Sequence, residues 1–169
     1  MNKPENLCMA PWTHTYLSPQ TERRLCCASR EPAQSFTQYI DSAEGDNVYT
    51  PQTLEEHWNG ESIRRVRRQM MNNEVPPECE VCDKKLLNQD VYRDYFGHLF
   101  AHKWEDIQAT TDETGWTSMK PVSWDYRFSN LCNFKCRMCG PMLSSSWETE
   151  ARKNNDIEPW MEKPVKQEI

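Results

Sequence analysis

No stretch of this chain is apolar for long enough to span a membrane. The opening residues Met1-Asn2-Lys3-Pro4-Glu5-Asn6 lead into no apolar run, so no secretory leader is expected. An excess of positive charge is missing as well. The net charge is −6, which argues against a general nucleic-acid binder. Hydrophobic residues make up only 37% of 169 positions, so a thin core is expected, in one ordinary domain or two small ones. These absences point to a cytoplasmic chain, and in that compartment disulfides are rare. Yet the chain holds eight cysteines. Metal or cluster ligation is the use that fits them.

The densest group lies in Ser129-Asn130-Leu131-Cys132-Asn133-Phe134-Lys135-Cys136-Arg137-Met138-Cys139-Gly140-Pro141. Cys132, Cys136 and Cys139 are spaced C-x3-C-x2-C. Gaps this short hold three thiolates in one loop, which suits a metal centre better than any pairwise bridge. If the three bind three irons of a [4Fe–4S] cube, the fourth iron is left open to a substrate. That is the logic of a catalytic site rather than a closed structural one. Before the loop, Val122-Ser123-Trp124-Asp125-Tyr126-Arg127-Phe128 alternates apolar and polar and predicts a strand. After it, Ser144-Ser145-Ser146 predicts a cap for a helix reaching about Lys153, with Trp147 in the core. A strand that delivers such a loop at its C-terminal end matches the placement of active sites in β/α barrels.

A second set of cysteines is dispersed. Cys8 precedes a strand-like stretch, Thr13 to Ser18, and Pro19-Gln20-Thr21-Glu22 reads as a turn. Arg23-Arg24-Leu25-Cys26-Cys27 reads as the returning strand of a hairpin. Adjacent strand residues point to opposite faces, so only one of Cys26 and Cys27 can readily face a metal with Cys8. Further on, Pro76-Pro77-Glu78-Cys79-Glu80-Val81-Cys82 carries a C-x2-C pair behind two prolines. No thioredoxin-like βαβ pattern surrounds it, so a redox dithiol is not expected. Joined to the hairpin cysteines it makes four thiolates, a closed set for a [4Fe–4S] cluster or a structural Zn²⁺.

Between these motifs the pattern is mostly helical. Residues 29–50 are polar and aperiodic and read as a long connection. Thr50-Pro51 opens a short helix through Leu54 and Trp58. Glu61 to Asn72 forms a second, with Ile63, Val66 and Met70 on one face. The run Arg64-Arg65-Val66-Arg67-Arg68 is expected to be one solvated face. From Asp83 to about Trp104, Leu87, Val91, Tyr95 and Leu99 repeat every four residues, with Phe96 and Phe100 alongside, and predict a packed amphipathic helix. His14, His98 and His102 are read as structural. Residues 107–120 are polar and turn-rich and read as a linker.

Cys132, Cys136 and Cys139 resemble the signature C-x3-C-x-Φ-C of the radical S-adenosylmethionine (SAM) superfamily, with Met138 in place of the usual aromatic Φ. Asp125 to Asn130 before it and Cys139-Gly140-Pro141 after it are similar to members with a SPASM or twitch auxiliary-cluster domain. Trp58-Asn59-Gly60-Glu61 and the strand ending in Cys26-Cys27 also resemble that domain. The resemblance implies Cys8, Cys26, Cys79 and Cys82 as auxiliary ligands. It favours a second [4Fe–4S] cluster over Zn²⁺ and leaves Cys27 as a small buried hydrophobe. The implied fold is α+β: an auxiliary cluster domain over residues 1–106, a linker over 107–120, and the first β/α unit of a radical SAM barrel over 121–169. In SPASM-containing enzymes the auxiliary domain follows the barrel; here it comes first.

The implied activity is one-electron cleavage of SAM to a 5′-deoxyadenosyl radical, for modifying a peptide or protein. A flavodoxin or ferredoxin is the kind of electron donor expected. No nucleic acid or membrane partner is expected. A full barrel takes about 250 residues, and 30 follow Cys139. The chain therefore reads as the N-terminal part of a longer enzyme, or as one half with a barrel-completing partner. The alternative is a non-catalytic domain binding Zn²⁺ or an iron-sulfur cluster.

Overall fold

The computed structural model describes residues 3–18, 23–29, 39–41, 47–49, 52–85, 91–127, 129–141 and 143–156. The first elements are α1 (Ala10–Thr13), β1 (His14–Leu17), β2 (Arg23–Arg24), β3 (Tyr39–Asp41) and β4 (Asn47–Tyr49). Four helices follow: α2 (Leu54–Trp58), α3 (Glu61–Met71), α4 (Glu80–Lys85) and α5 (Tyr92–Leu99). The described part closes with α6 (Trp104–Thr110), β5 (Ser123–Tyr126) and α7 (Ser145–Lys153). The fold is thus mixed α+β.

The hairpin forms where expected, with Tyr16 opposite Arg24 and Leu17 opposite Arg23. Its turn, residues 19–22, lies outside the described residues. What the alternation in 122–128 did not indicate is the partner of β5. This strand lies parallel to β1, His14 opposite Ser123 and Leu17 opposite Tyr126, so the sheet order is β2-β1-β5. Backbone bonds extend the ladder at both ends, from Val122 N to Thr13 O (2.9 Å) and from Arg127 N to Leu17 O (2.9 Å). Arginines reinforce it. Arg23, fully buried, donates through Nη1 to the Tyr126 hydroxyl (2.9 Å), and the Arg127 guanidinium lies 5.3 Å from the centre of the Tyr16 ring. Phe128, at the end of the expected strand, lies outside the described residues. Within the 29–50 connection, β3 and β4 pair as a small antiparallel ribbon.

The core gathers on the N-terminal segment. Leu7, Met9 and Trp12 are buried with Leu25, Ile63, Val66, Met70, Phe96, Phe100 and Ile107. The face Ile63-Val66-Met70 of α3 is buried as its helical spacing predicts. Helix α2 starts at Leu54, later than the expected Thr50-Pro51, which lie outside the described residues. Thr53 caps it: its Oγ1 accepts from Glu56 N (3.3 Å) and its own N–H donates to the Glu56 carboxylate (2.8 Å). This reciprocal box outcompetes the upstream proline as a start signal.

Three expectations change. The basic run of α3 is not a solvated face. Arg67 is 0% exposed and donates to Pro11 O (2.9 Å), Asn59 Oδ1 (2.9 Å) and Gly115 O (3.3 Å), with its guanidinium 4.9 Å from the Trp58 ring centre. Arg64 and Arg68 donate to Thr114 O (3.2 and 2.6 Å), and Arg65 pairs with Glu78. The reason is the second change. Residues 107–120 do not form a bare linker. Ile107 is buried in α6, and the turn after it, closed by a Thr111–Thr117 bridge, presents its carbonyls to α3. At its apex Gly115 has φ +80°, and a Cβ there would meet Arg64 O at 2.3 Å. Trp58 Nε1 and Asn59 Nδ2 donate to the carbonyls of Met119 (2.7 Å) and Thr117 (3.0 Å).

Third, Asp83 to Trp104 is not one helix. Val91 is extended (φ −121°, ψ 161°), and α5 begins after it. Leu87 lies outside the described residues. The buried stripe of α5 is Arg93, Phe96 and Gly97, continued by Phe100, whereas Tyr95 and Leu99 are 58% and 48% exposed. Of the residues expected to pack, Val91, Phe96 and Phe100 are buried, while Tyr95 and Leu99 fall on the other face because the break at Val91 resets the helical phase.

Candidate metal centre

Four short local structures each bring one cysteine to the same place. Cys8 stands before α1, where Ala10 N donates to its sulfur (3.5 Å). Cys26 follows β2 in a turn closed by Ser29, whose N–H and Oγ both reach Cys26 O (3.2 and 2.7 Å). Cys79 ends a 3₁₀ turn that begins at Pro77, with Cys79 N bonded to Pro76 O (2.8 Å). Cys82 lies three residues on in α4, hence on the same side of the helical path. All four line one cavity, with Glu78 and Arg93 in its wall.

Cys27 is not in that wall. It is half-exposed rather than the buried hydrophobe expected, and it lies close enough to Tyr92 to raise the pKa of that phenol. The returning strand ends at Arg24, so Cys26 and Cys27 sit in a turn. The turn, not strand alternation, sends Cys26 inward.

Burial dominates the electrostatics. It pushes the Cys8 thiol up to about 12, against a small opposing pull from the Ala10 N–H. It pushes Cys26 and Cys79 higher still, and the neighbouring cysteines add to the rise by mutual repulsion. Thiols this close cannot ionise together without a cation among them. The donor set is therefore built to lose protons when a metal centre enters. Thiolates 2.3 Å from a single tetrahedral zinc would stand ~3.8 Å apart. Among the described residues no three His, Cys, Asp or Glu are drawn together tightly enough to hold one metal ion. The four cysteines line one small cavity shared by segments far apart in sequence.

The three-cysteine loop is organised differently. Cys132 and Cys139 are half-buried and Cys136 is exposed. Its two ends are tied together, since Asn130 Nδ2 donates to Pro141 O (3.1 Å) and Ser145 N to Asn130 O (2.7 Å). Ser144 caps α7 as expected, accepting from Trp147 N (3.4 Å), and its hydroxyl donates to Phe134 O (2.7 Å). Trp147 is not in the core: it reaches out to Cys136 O with Nε1 (3.1 Å), beneath the Lys135 ammonium. Lys135 also pairs with Glu150. Leu131, Phe134 and Met138 are 85%, 67% and 92% exposed. The two cysteine sets flank the sheet. Cys8 and Cys26 lie toward the start of β1, and the loop leaves the far end of β5.

His14 is structural, with Nδ1 2.9 Å from Ser123 Oγ and its ring 4.8 Å from Phe96. His98 and His102 are exposed. Sequence reasoning passed over Arg93 and Glu78. Counting back from the Phe96–Phe100 stripe would have placed Arg93 on the buried face.

Residues 8–83 match the family model for SPASM, an iron-sulfur cluster-binding domain. Over this segment the chain is similar to SPASM domains. The match begins at the first of the four converging cysteines and ends one residue after the last, so the SPASM segment encloses the whole set and leaves out the three-cysteine loop. Comparison with curated proteins and with solved structures gave no match. The match is consistent with an iron-sulfur cluster-binding domain of the kind found as an auxiliary domain in radical SAM proteins. No helix among the described residues is long and apolar enough to cross a membrane.

Proposed function

We propose that the chain is part of a radical SAM enzyme that modifies a peptide or protein. In this reading Cys8, Cys26, Cys79 and Cys82 hold an auxiliary [4Fe–4S] cluster. Cys132, Cys136 and Cys139 would hold a second one as thiolates and leave it open to SAM. The convergence of the four SPASM cysteines on one cavity is the observation that carries the proposal. The C-x3-C-x2-C loop supports the catalytic half, lying at the C-terminal end of a strand and before a capped helix, as in the first unit of a β/α barrel. The apolar residues exposed around that loop fit a surface that further barrel strands would cover.

When loaded, such a site uses one electron from an external donor to cleave the SAM sulfonium into methionine and a 5′-deoxyadenosyl radical. This chain's own residues bind and orient. The cysteines supply thiolates, and the ties from Asn130, Ser144 and Ser145 hold the loop in shape before anything binds. The electron donor is a small redox protein of the flavodoxin or ferredoxin type, and a further chain segment or partner completes the barrel.

The test is anaerobic purification with iron, sulfide and zinc analysis, then SAM cleavage under reducing conditions. About eight irons and eight sulfides per chain are expected for two cubes. Production of 5′-deoxyadenosine is expected when the barrel is complete. Zinc without sulfide would refute the reading and leave a non-catalytic metal-binding domain.

A further inference from the structure

Arg93 lies on the buried stripe of α5, 4% exposed, and its side chain forms part of the wall around the four SPASM cysteines. Its Nη1 is engaged, donating to Asn6 Oδ1 (3.2 Å) and lying 3.8 Å from Asp83 Oδ1. Among the described residues its Nε and Nη2, both buried, have no hydrogen-bond partner. Its charge acts on Cys8 and on Cys79. Two other charged groups lie near the cavity. Glu78 pairs with Arg65 through Oε1, while its Oε2 is buried with no hydrogen-bond partner among the described residues, and Lys3 stands on the Cys8 side. A buried guanidinium with two idle donors, in the wall of a cavity lined by four cysteines, is a costly arrangement unless something there accepts hydrogen bonds from it.

We infer that Arg93 donates from Nε and Nη2 to sulfur atoms of the cluster held by Cys8, Cys26, Cys79 and Cys82, and so raises that cluster's reduction potential. The inference rests on the assignment of those four cysteines as ligands. Four thiolates give the cluster a net negative charge, and reduction adds one more. Donors and a positive charge beside the sulfurs stabilise the reduced state more than the oxidised one. Arg93 is a positioning and tuning residue that never touches SAM or substrate.

The experiment uses the full chain with Cys132, Cys136 and Cys139 replaced by alanine, reconstituted anaerobically with iron and sulfide, so that one cluster is observed. Iron and sulfide content is measured first. The midpoint potential then comes from a redox titration followed by electron paramagnetic resonance. Arg93→Met should weaken electron uptake at least tenfold, ~59 mV toward the negative for a one-electron couple. Arg93→Lys, which keeps the charge but not the planar fork, should fall between. Independently, pulsed resonance on the reduced parent protein carrying ¹⁵N-guanidinium arginine should detect a nitrogen coupled to the cluster, lost in Arg93→Lys. If the parent binds no cluster, the ligand assignment falls and this inference with it. If the cluster forms but no nitrogen coupling is seen, or the Arg93→Met potential is unchanged, the Arg93 inference falls alone. Should Arg93→Met fail to assemble, the coupling in the parent protein decides.

Discussion

His57 should make this protein acid-sensitive well above the carboxylate range. It is 3% exposed on α2, between the buried arginines 23 and 67. Burial, and then the charges of Arg23 and Arg67, lower its pKa from 6.5 to about 3. The folded protein therefore holds His57 neutral, while the unfolded chain takes up a proton below about 6.5. Stability is intact above that value and falls with pH down to about 3. One unit of difference is worth ~1.4 kcal/mol, so between pH 7 and pH 5 the loss from this residue alone is ~2 kcal/mol. Against a domain stability of ~5–15 kcal/mol that is readily measured. Anaerobic urea unfolding, followed by tryptophan fluorescence at both pH values, reads it. His57→Gln removes the titration, so the wild type should lose ~2 kcal/mol more than the variant over this interval. Equal losses in the two proteins would refute the argument, because they would mean that His57 titrates alike in the folded and unfolded chain.

Arg67→Ala should cost about 3 kcal/mol in the same assay, since it strands the buried carbonyls of Pro11 and Gly115 and empties the space beside Trp58, whereas Arg152→Ala, which breaks an exposed pair with Glu148, should cost under ~0.5 kcal/mol. Gly115→Ala should lower stability by ~1–3 kcal/mol or more, through its positive φ and the clash with Arg64 O; an unchanged thermal midpoint would contradict the turn geometry. Cys79→Ser should abolish assembly of the SPASM cluster while Cys27→Ser leaves its iron content unchanged, as read by iron and sulfide analysis. Ser144→Ala should destabilise the loop and helix by about 1 kcal/mol, visible as faster amide exchange in residues 130–147.

Features set by near neighbours were legible before the fold was known. The hairpin, the apolar face of α3 and the Ser144 cap depend on residues a few positions apart. Periodicity and capping chemistry report on such distances directly. Legibility failed where a remote segment intervenes. Nothing local in Arg64-Arg65-Val66-Arg67-Arg68 reveals that the Thr114–Gly115 carbonyls lie about 50 residues on and will cover it. The stripe of α5 was misread for a related reason. A repeat of four apolar residues carries no sign that the chain is extended at Val91.

The amino-acid order by itself determined the chemistry on offer: two cysteine sets, one tight and one dispersed, in a chain short of apolar residues, with spacings that name the metal centres they suit. Only the tertiary structure decided which thiols share a cavity. It put Cys26 and not Cys27 in the cavity wall, set β5 beside β1 so that the two cysteine sets flank one sheet, and placed Arg93 in that same wall. The physical reason is that a ligand's identity is a property of one residue. Its convergence and charge environment belong to segments far apart in sequence, which meet only when the core on Leu7, Met9 and Trp12 draws them in.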